Sequence, residues 1–151
     1  MKMAYLMSYN QMMKYKHSGI YSISIVYTNP NTQKETRKVV YVGQSKNMYR
    51  RIQSHVREML KDLPLERKYQ LFHNYWLSAQ ENADRRIQFD VVEYCEPEEM
   101  DELEQKYIDY FKPHLNTVGM NDGLTIDERI AMDDEIFWIL DLPTGCFCWE
   151  E

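Results

Sequence analysis

Two short runs of alternating residues constrain this chain more than anything else in it. In GIYSISIVY, residues 19–27, Tyr21, Ile23, Ile25 and Tyr27 share one parity, and Ser22 and Ser24 share the other. A period of two is the signature of a strand with distinct faces. RKVVYVG, residues 37–43, is a second run rich in β-branched and aromatic residues. Between them lies NPNTQ, residues 29–33, a cluster of turn-forming residues. The pair predicts an antiparallel hairpin. With the turn centred on Asn31, Tyr21 is expected directly across from Tyr41, and Ile23 across from Val39. Such partners have Cβ atoms about 4.5–5.5 Å apart. Gly19 and Gly43 fall at the open end of the hairpin, where a missing side chain lets another group approach the backbone.

The remainder of the chain reads as helices and one more strand. Helices are expected over 47–62 and 67–81, broken at Pro64. RIQFDVVEY, residues 86–94, is a third strand with Ile87, Phe89 and Val91 on one face. Pro97 opens a helix that runs to about Phe111, before Pro113. A weakly patterned helix over 4–16 and a last helix over 125–140 complete the order. This is an α+β domain with a small three-stranded antiparallel sheet flanked by helices. A chain of 151 residues is long enough to bury one core. It divides into an N-terminal helical extension (1–18), a central core (19–117) and an acidic C-terminal helix and tail (118–151) packed on the same domain.

Charge is unevenly placed for a protein of net charge −6. From Lys34 to Arg57 there are seven Lys/Arg and one Glu. From Glu93 to Glu104 there are seven carboxylates and no base, and from Asn121 onward nine carboxylates and one Arg. An acidic protein binds a polyanion when its basic residues share a face. A solvated hairpin and helix is the plainer reading of the same charges. No apolar run is long enough to span a membrane, and the Met-rich N-terminus has no signal-peptide pattern. With three cysteines in no disulfide-framework spacing, a cytoplasmic protein without membrane attachment is expected. Cys146-x-Cys148 has no second ligand pair for zinc.

Helical periodicity then separates residues that look alike. At about 100° per residue, Met48, Ile52, Val56 and Met59 form an apolar stripe. Arg51 and His55, four residues apart, lie along its edge, while Arg50 and Arg57 point away. Arg51 is therefore held against the protein, where a guanidinium grips a phosphate through two hydrogen bonds. In the acidic helix, Met100, Leu103, Tyr107, Ile108 and Phe111 make the stripe, and Glu104 falls inside it. A carboxylate aimed at a core needs a metal or a partner. A carboxylate holding a hard cation, a fixed Arg, and a tyrosine or histidine that handles a proton suffice for phosphodiester hydrolysis. The structural alternatives are a stacked tyrosine pair and an Arg51–Glu104 ion pair.

At this point the sequence resembles the GIY-YIG nuclease superfamily. GIY at 19–21 and YVG at 41–43 are similar to its two name motifs. Arg51 and His55 match an Arg on the following helix and the His that some members carry four residues later. Glu104 matches the metal-binding Glu, and Asn116 in FKPHLN matches the Asn that closes the site. The resemblance spans about 19–117, and its long hairpin is similar to those of GIY-YIG restriction endonucleases. It implies a DNA endonuclease of restriction, phage, mobile-element or repair type, acting on single- or double-stranded DNA. It implies one Mg²⁺ or Mn²⁺ per site on Glu104, with Tyr21 as general base assisted by Tyr41 or His55, and Arg51 on the scissile phosphate. Gly43 is expected to leave room for substrate. Lys46, Arg37, Lys38 and Arg50 are expected substrate contacts, and a homo-oligomer would supply two sites for double-strand cutting. The alternatives are a catalytically silent module of this fold that binds nucleic acid or protein, and an inhibitor whose acidic C-terminal region mimics nucleic acid.

Overall fold

The computed structural model describes residues 13–141. The helix expected over 4–16 lies outside them except for a helical turn at 13–15, and the tail with Cys146, Phe147, Cys148 and Trp149 lies wholly outside. Strands β1 (Gly19–Thr28), β2 (Glu35–Ser45) and β3 (Arg86–Tyr94) form one antiparallel sheet in the order β2-β1-β3. Helices α1 (Met48–Met59), α2 (Arg67–Glu81) and α3 (Met100–Phe111) flank it, and α3 is preceded by a 3₁₀ turn at Pro97–Glu99. The architecture is thus the expected α+β arrangement. Asn47 starts α1 by accepting a hydrogen bond from the Arg50 N–H, 3.2 Å. Lys112, in a left-handed conformation (φ 49°), ends α3 before Pro113.

Being central, β1 is buried on both faces. Its Tyr21, Ile23, Ile25 and Tyr27 enter the main core with Met48, Ile52 and Val56 of α1 and Tyr69, Phe72 and Trp76 of α2. On the opposite face, Ile20 of β1 and Val42 of β2 pack with Met100 and Ile108 of α3. Ser22 and Ser24 are also buried on that side, so the polar parity of β1 does not mark a solvent face.

The hairpin register differs from expectation. Tyr21 pairs with Gly43, Ile23 with Tyr41 and Ser24 with Val39. Val40 is the extra residue of a β-bulge, and the bulge puts both Val40 and Tyr41 against the main core. A segment distant in sequence accompanies it. The Val40 carbonyl accepts from the Leu115 N–H at 2.9 Å. The Asn116 side chain accepts from the Val42 N–H and donates to the Val42 C=O, both at 2.9 Å. The outer edge of β2 is covered in this way up to the residue before Gly43.

The last expected helix is broken. α4 covers only Ile126–Ala131; Asp133 then caps a separate turn at Asp134–Ile136, accepting from the Ile136 N–H at 3.2 Å. A side chain that bonds its own backbone competes with helix continuation. Ile126, Ile130, Ile136, Ile139 and Leu140 nevertheless join the main core, and Tyr27 donates a hydrogen bond to Glu135. Among the described residues, no helix is long and apolar enough to cross a membrane.

Candidate functional site

Tyr21 and Gly43 form the floor of the candidate site. The Tyr21 ring, fully buried, lies over the Gly43 backbone, and a Cβ built on Gly43 would collide with its hydroxyl and ring carbons. The space expected to admit substrate is filled by Tyr21 itself. Tyr21 and Tyr41 are diagonal rather than opposed, with ring centroids 6.4 Å apart.

His55 sits beneath both tyrosines, its ring centroid 5.6 Å from Tyr21 and 5.2 Å from Tyr41. Periodicity put it at the edge of the α1 stripe, but the side chain is fully buried. Each ring nitrogen has a tyrosine partner. Nε2 is 2.6 Å from the Tyr21 hydroxyl, and Nδ1 is 2.9 Å from the Tyr69 hydroxyl. Burial, with Arg51 and Lys68 nearby, lowers the His55 pKa to about 3. The ring is neutral at pH 7, one nitrogen donating and the other accepting.

Arg51 is half-buried beside this group, whereas Arg50 is exposed, as the periodicity of α1 requires. Burial disfavours the Arg51 cation, but Tyr21, Tyr41 and Tyr69 outweigh that cost and shift its pKa upward. Burial and Tyr41 hold the Tyr21 hydroxyl well above the usual phenol range, against the pull of Arg51. Tyr69, by burial above all, is pushed up to about 12. At rest the site holds neutral phenols, a neutral imidazole and a fixed guanidinium.

Glu104 is placed differently. It is half-buried on α3, which covers the other face of the sheet. Gln44, next to Gly43, donates from Nε2 to Glu104 at 2.9 Å and to Asp101 at 2.8 Å. Among the described residues, no ion pair joins Glu104 to Arg51. Two carboxylates within reach of one amide form a hard-oxygen set open to solvent. No three His, Cys, Asp or Glu side chains converge among the described residues, so a cation held here would keep most of its water, as Mg²⁺ does. The donor chemistry fits such an ion, which Glu104 and Asp101 would hold.

Other expected residues lie elsewhere. Asn116 is a clamp on β2, its amide used on Val42. Lys46 is exposed in the loop before α1. Arg37 and Lys38 pair with Val26 and Ile25, so Lys38 is about 16 Å down the strand from Gly43 at ~3.3 Å per residue. Arg37 is tied to Asp90 at 3.0 Å. Sequence reasoning missed Lys68 and Tyr69. Tyr69 falls on the apolar face of α2 with Phe72 and Trp76, and so reads as core. Its signal is indirect: a buried histidine needs a partner for each ring nitrogen. Lys68 lies over the Tyr41 and Tyr69 rings, with Nζ 5.2 and 4.9 Å from their centroids. Compared with protein-family models, with curated proteins and with solved structures, the chain matches none.

Proposed function

We propose that this protein is a divalent-metal-dependent endonuclease that hydrolyses DNA phosphodiester bonds, as its resemblance to the GIY-YIG superfamily implies. The observation that carries the reading is the convergence of Tyr21, Tyr41, Arg51 and His55 at one end of the hairpin, with each His55 nitrogen bonded to a tyrosine. These four residues come from both name-motif positions and the following helix.

In the proposed reaction, a water attacks phosphorus in line and the P–O bond to the leaving oxygen breaks. Tyr21, fully buried at rest, would take the water's proton once substrate opens its hydroxyl to that water, passing its own to His55 Nε2, 2.6 Å away. Arg51 binds the scissile phosphate and stabilises the charge that develops there. Bound phosphate also neutralises Arg51, one of the two cations that oppose protonation of His55. Glu104, with Asp101, would hold Mg²⁺ or Mn²⁺, which supplies Lewis-acid stabilisation of the leaving oxygen. Because β2 is an edge strand, a phosphate docked on its rim beyond Val42 can meet groups from both faces of the sheet. Lys46, Arg50 and Lys38 are further phosphate contacts, and a homodimer would cut both strands.

The second reading is a catalytically silent module of this fold. It draws on one observation: Glu104 is bonded to Gln44 on the face opposite Arg51. Supercoiled plasmid and single-stranded DNA, incubated with Mg²⁺ or Mn²⁺, separate the two. The nuclease reading expects cleavage that disappears in Glu104→Ala and Arg51→Ala. Undiminished cutting by Glu104→Ala sinks the metal assignment, and a parent protein that cuts neither substrate favours the silent module.

A further inference from the structure

We propose that Lys68 is a phosphate ligand: its ammonium, held over the rings of Tyr41 and Tyr69, grips the backbone of the DNA strand whose scissile phosphate Arg51 binds. The inference rests on the nuclease reading and adds to it a residue from α2, which supplies neither the name motifs nor Arg51.

The ground is positive charge left uncompensated. Lys68 Nζ lies 5.2 Å from the centre of the Tyr41 ring and 4.9 Å from that of Tyr69. Ring faces attract an ammonium but leave its charge in place. The Lys68 side chain is only 17 % exposed, and the carboxylate it meets is Glu66, 3.4 Å away and 64 % exposed. A contact that long and that wet neutralises little. Arg51, half-buried one turn before His55, is in no ion pair among the described residues. Elsewhere Arg37, Lys61, Arg67, Arg86 and Arg129 each meet a carboxylate at 2.9–3.1 Å. With 24 acidic residues to 18 Lys and Arg, acids are not scarce in this chain. The two cations beside the tyrosine–histidine cluster nevertheless lack a close one. They also share its opening. Tyr21, His55 and Tyr69 are buried, whereas Tyr41, Arg51 and Lys68 are each partly exposed. The Tyr41 ring stands 5.2 Å from His55 and has Lys68 over it, so the ammonium sits at the mouth of the cluster. A strand laid on that rim meets a forked guanidinium and a point charge, both of which bind phosphate.

The test measures binding of the full chain to single-stranded and duplex oligonucleotides in metal-free buffer. Each phosphate contact contributes about 0.7 (single strand) to 0.9 (duplex) to the slope of log K against log salt concentration. Lys68→Gln is expected to weaken binding roughly three- to tenfold at low salt and to lower the slope by about that one contact. A lysine that only braces the two rings would not move the slope. Lys68→Arg keeps the charge and also stacks on aromatic faces, so its slope should match the parent's. Lys34→Gln removes the same charge just before β2, at the closed end of the hairpin, and should leave the slope unchanged. A folded Lys68→Gln with the parent's slope overturns the proposal, and so does an equal drop in Lys34→Gln. If Lys68→Gln does not fold, the parent decides by NMR. Its Lys68 ε-methylene signal should move when the oligonucleotide is added and stay in place with an uncharged methylphosphonate analogue. A signal that moves equally with both, or with neither, overturns the proposal. A parent that binds no oligonucleotide sinks the nuclease reading and this inference together; a parent that binds while Lys68→Gln matches it sinks this inference alone.

Discussion

The two faces of the sheet at the open end of the hairpin carry charge in opposite ways. The face under α1 and α2 is dry: Tyr21 and His55 are fully buried, Tyr69 nearly so, and burial favours the neutral form of all three. The face under α3 is wet: Asp101 is exposed, Glu104 is half-exposed, and one amide is shared between the two carboxylates. Gly43 and Gln44, adjacent in β2, belong one to each face. The difference teaches where geometry is fixed by packing and where it is left to solvent. On the dry face a lost partner leaves a buried polar group unsatisfied, which is costly; on the wet face water replaces it.

The largest expected effect follows from the packing of Tyr21 on Gly43. Gly43→Ala introduces a Cβ where the Tyr21 phenol lies. Overpacking of this kind costs about 1–3 kcal/mol, and the upper end is expected because the ring has no free space beside it. Urea denaturation measures it. In a Tyr21→Ala background the same change should cost under about 0.5 kcal/mol, since the clash is gone. Equal costs in both backgrounds would break the dry-face description.

A second effect separates the faces by pH. His55 has a folded pKa of about 3 against an ordinary value of 6.5. The folded state therefore favours the neutral ring. The stability that His55 contributes is complete above pH 6.5 and is lost as pH falls from there toward 3. Around pH 4.5 the loss should be about 2–3 kcal/mol, at ~1.4 kcal/mol per unit. The groups facing the ring are Tyr21, Tyr41, Tyr69, Arg51 and Lys68, and no carboxylate is among them. His55→Gln should flatten the dependence by this amount relative to the parent. Identical pH profiles would mean that His55 is not held neutral by burial.

The sequence made the elements legible because period and punctuation are local. The alternation in β1, Pro64 between two helices and the α1 stripe all carry their meaning within a few residues. It also separated Arg51 from Arg50 correctly, because a helix face is a local property. What it missed depends on contacts distant in the chain. The bulge at Val40 faces Leu115 and Asn116, some seventy residues away in sequence, so the simple hairpin register set Tyr21 against the wrong partner. The same limit hid Tyr69, whose hydroxyl matters only because His55 of another helix lies within reach. Glu104 was legible as an unusual carboxylate in an apolar stripe. Its partner was not, because Gln44 meets it only once α3 packs across the sheet.

The smallest expected effect belongs to Gln44. Its amide makes two hydrogen bonds to carboxylates, which in a dry site would be worth about 1.5–3 kcal/mol each. Here Asp101 is exposed and Glu104 only half-buried, so water replaces the amide when it is removed. Exposed charged contacts of this kind contribute about 0.2–1 kcal/mol. Gln44→Ala should therefore lower the unfolding free energy by less than about 1 kcal/mol. Part of that loss comes from repulsion between two carboxylates three residues apart on α3, which salt screens. The cost should therefore shrink as ionic strength rises. A loss above about 2 kcal/mol, insensitive to salt, would show that the acidic pair is as dry as the tyrosine face. It would then lack the water that a hydrated Mg²⁺ needs to enter.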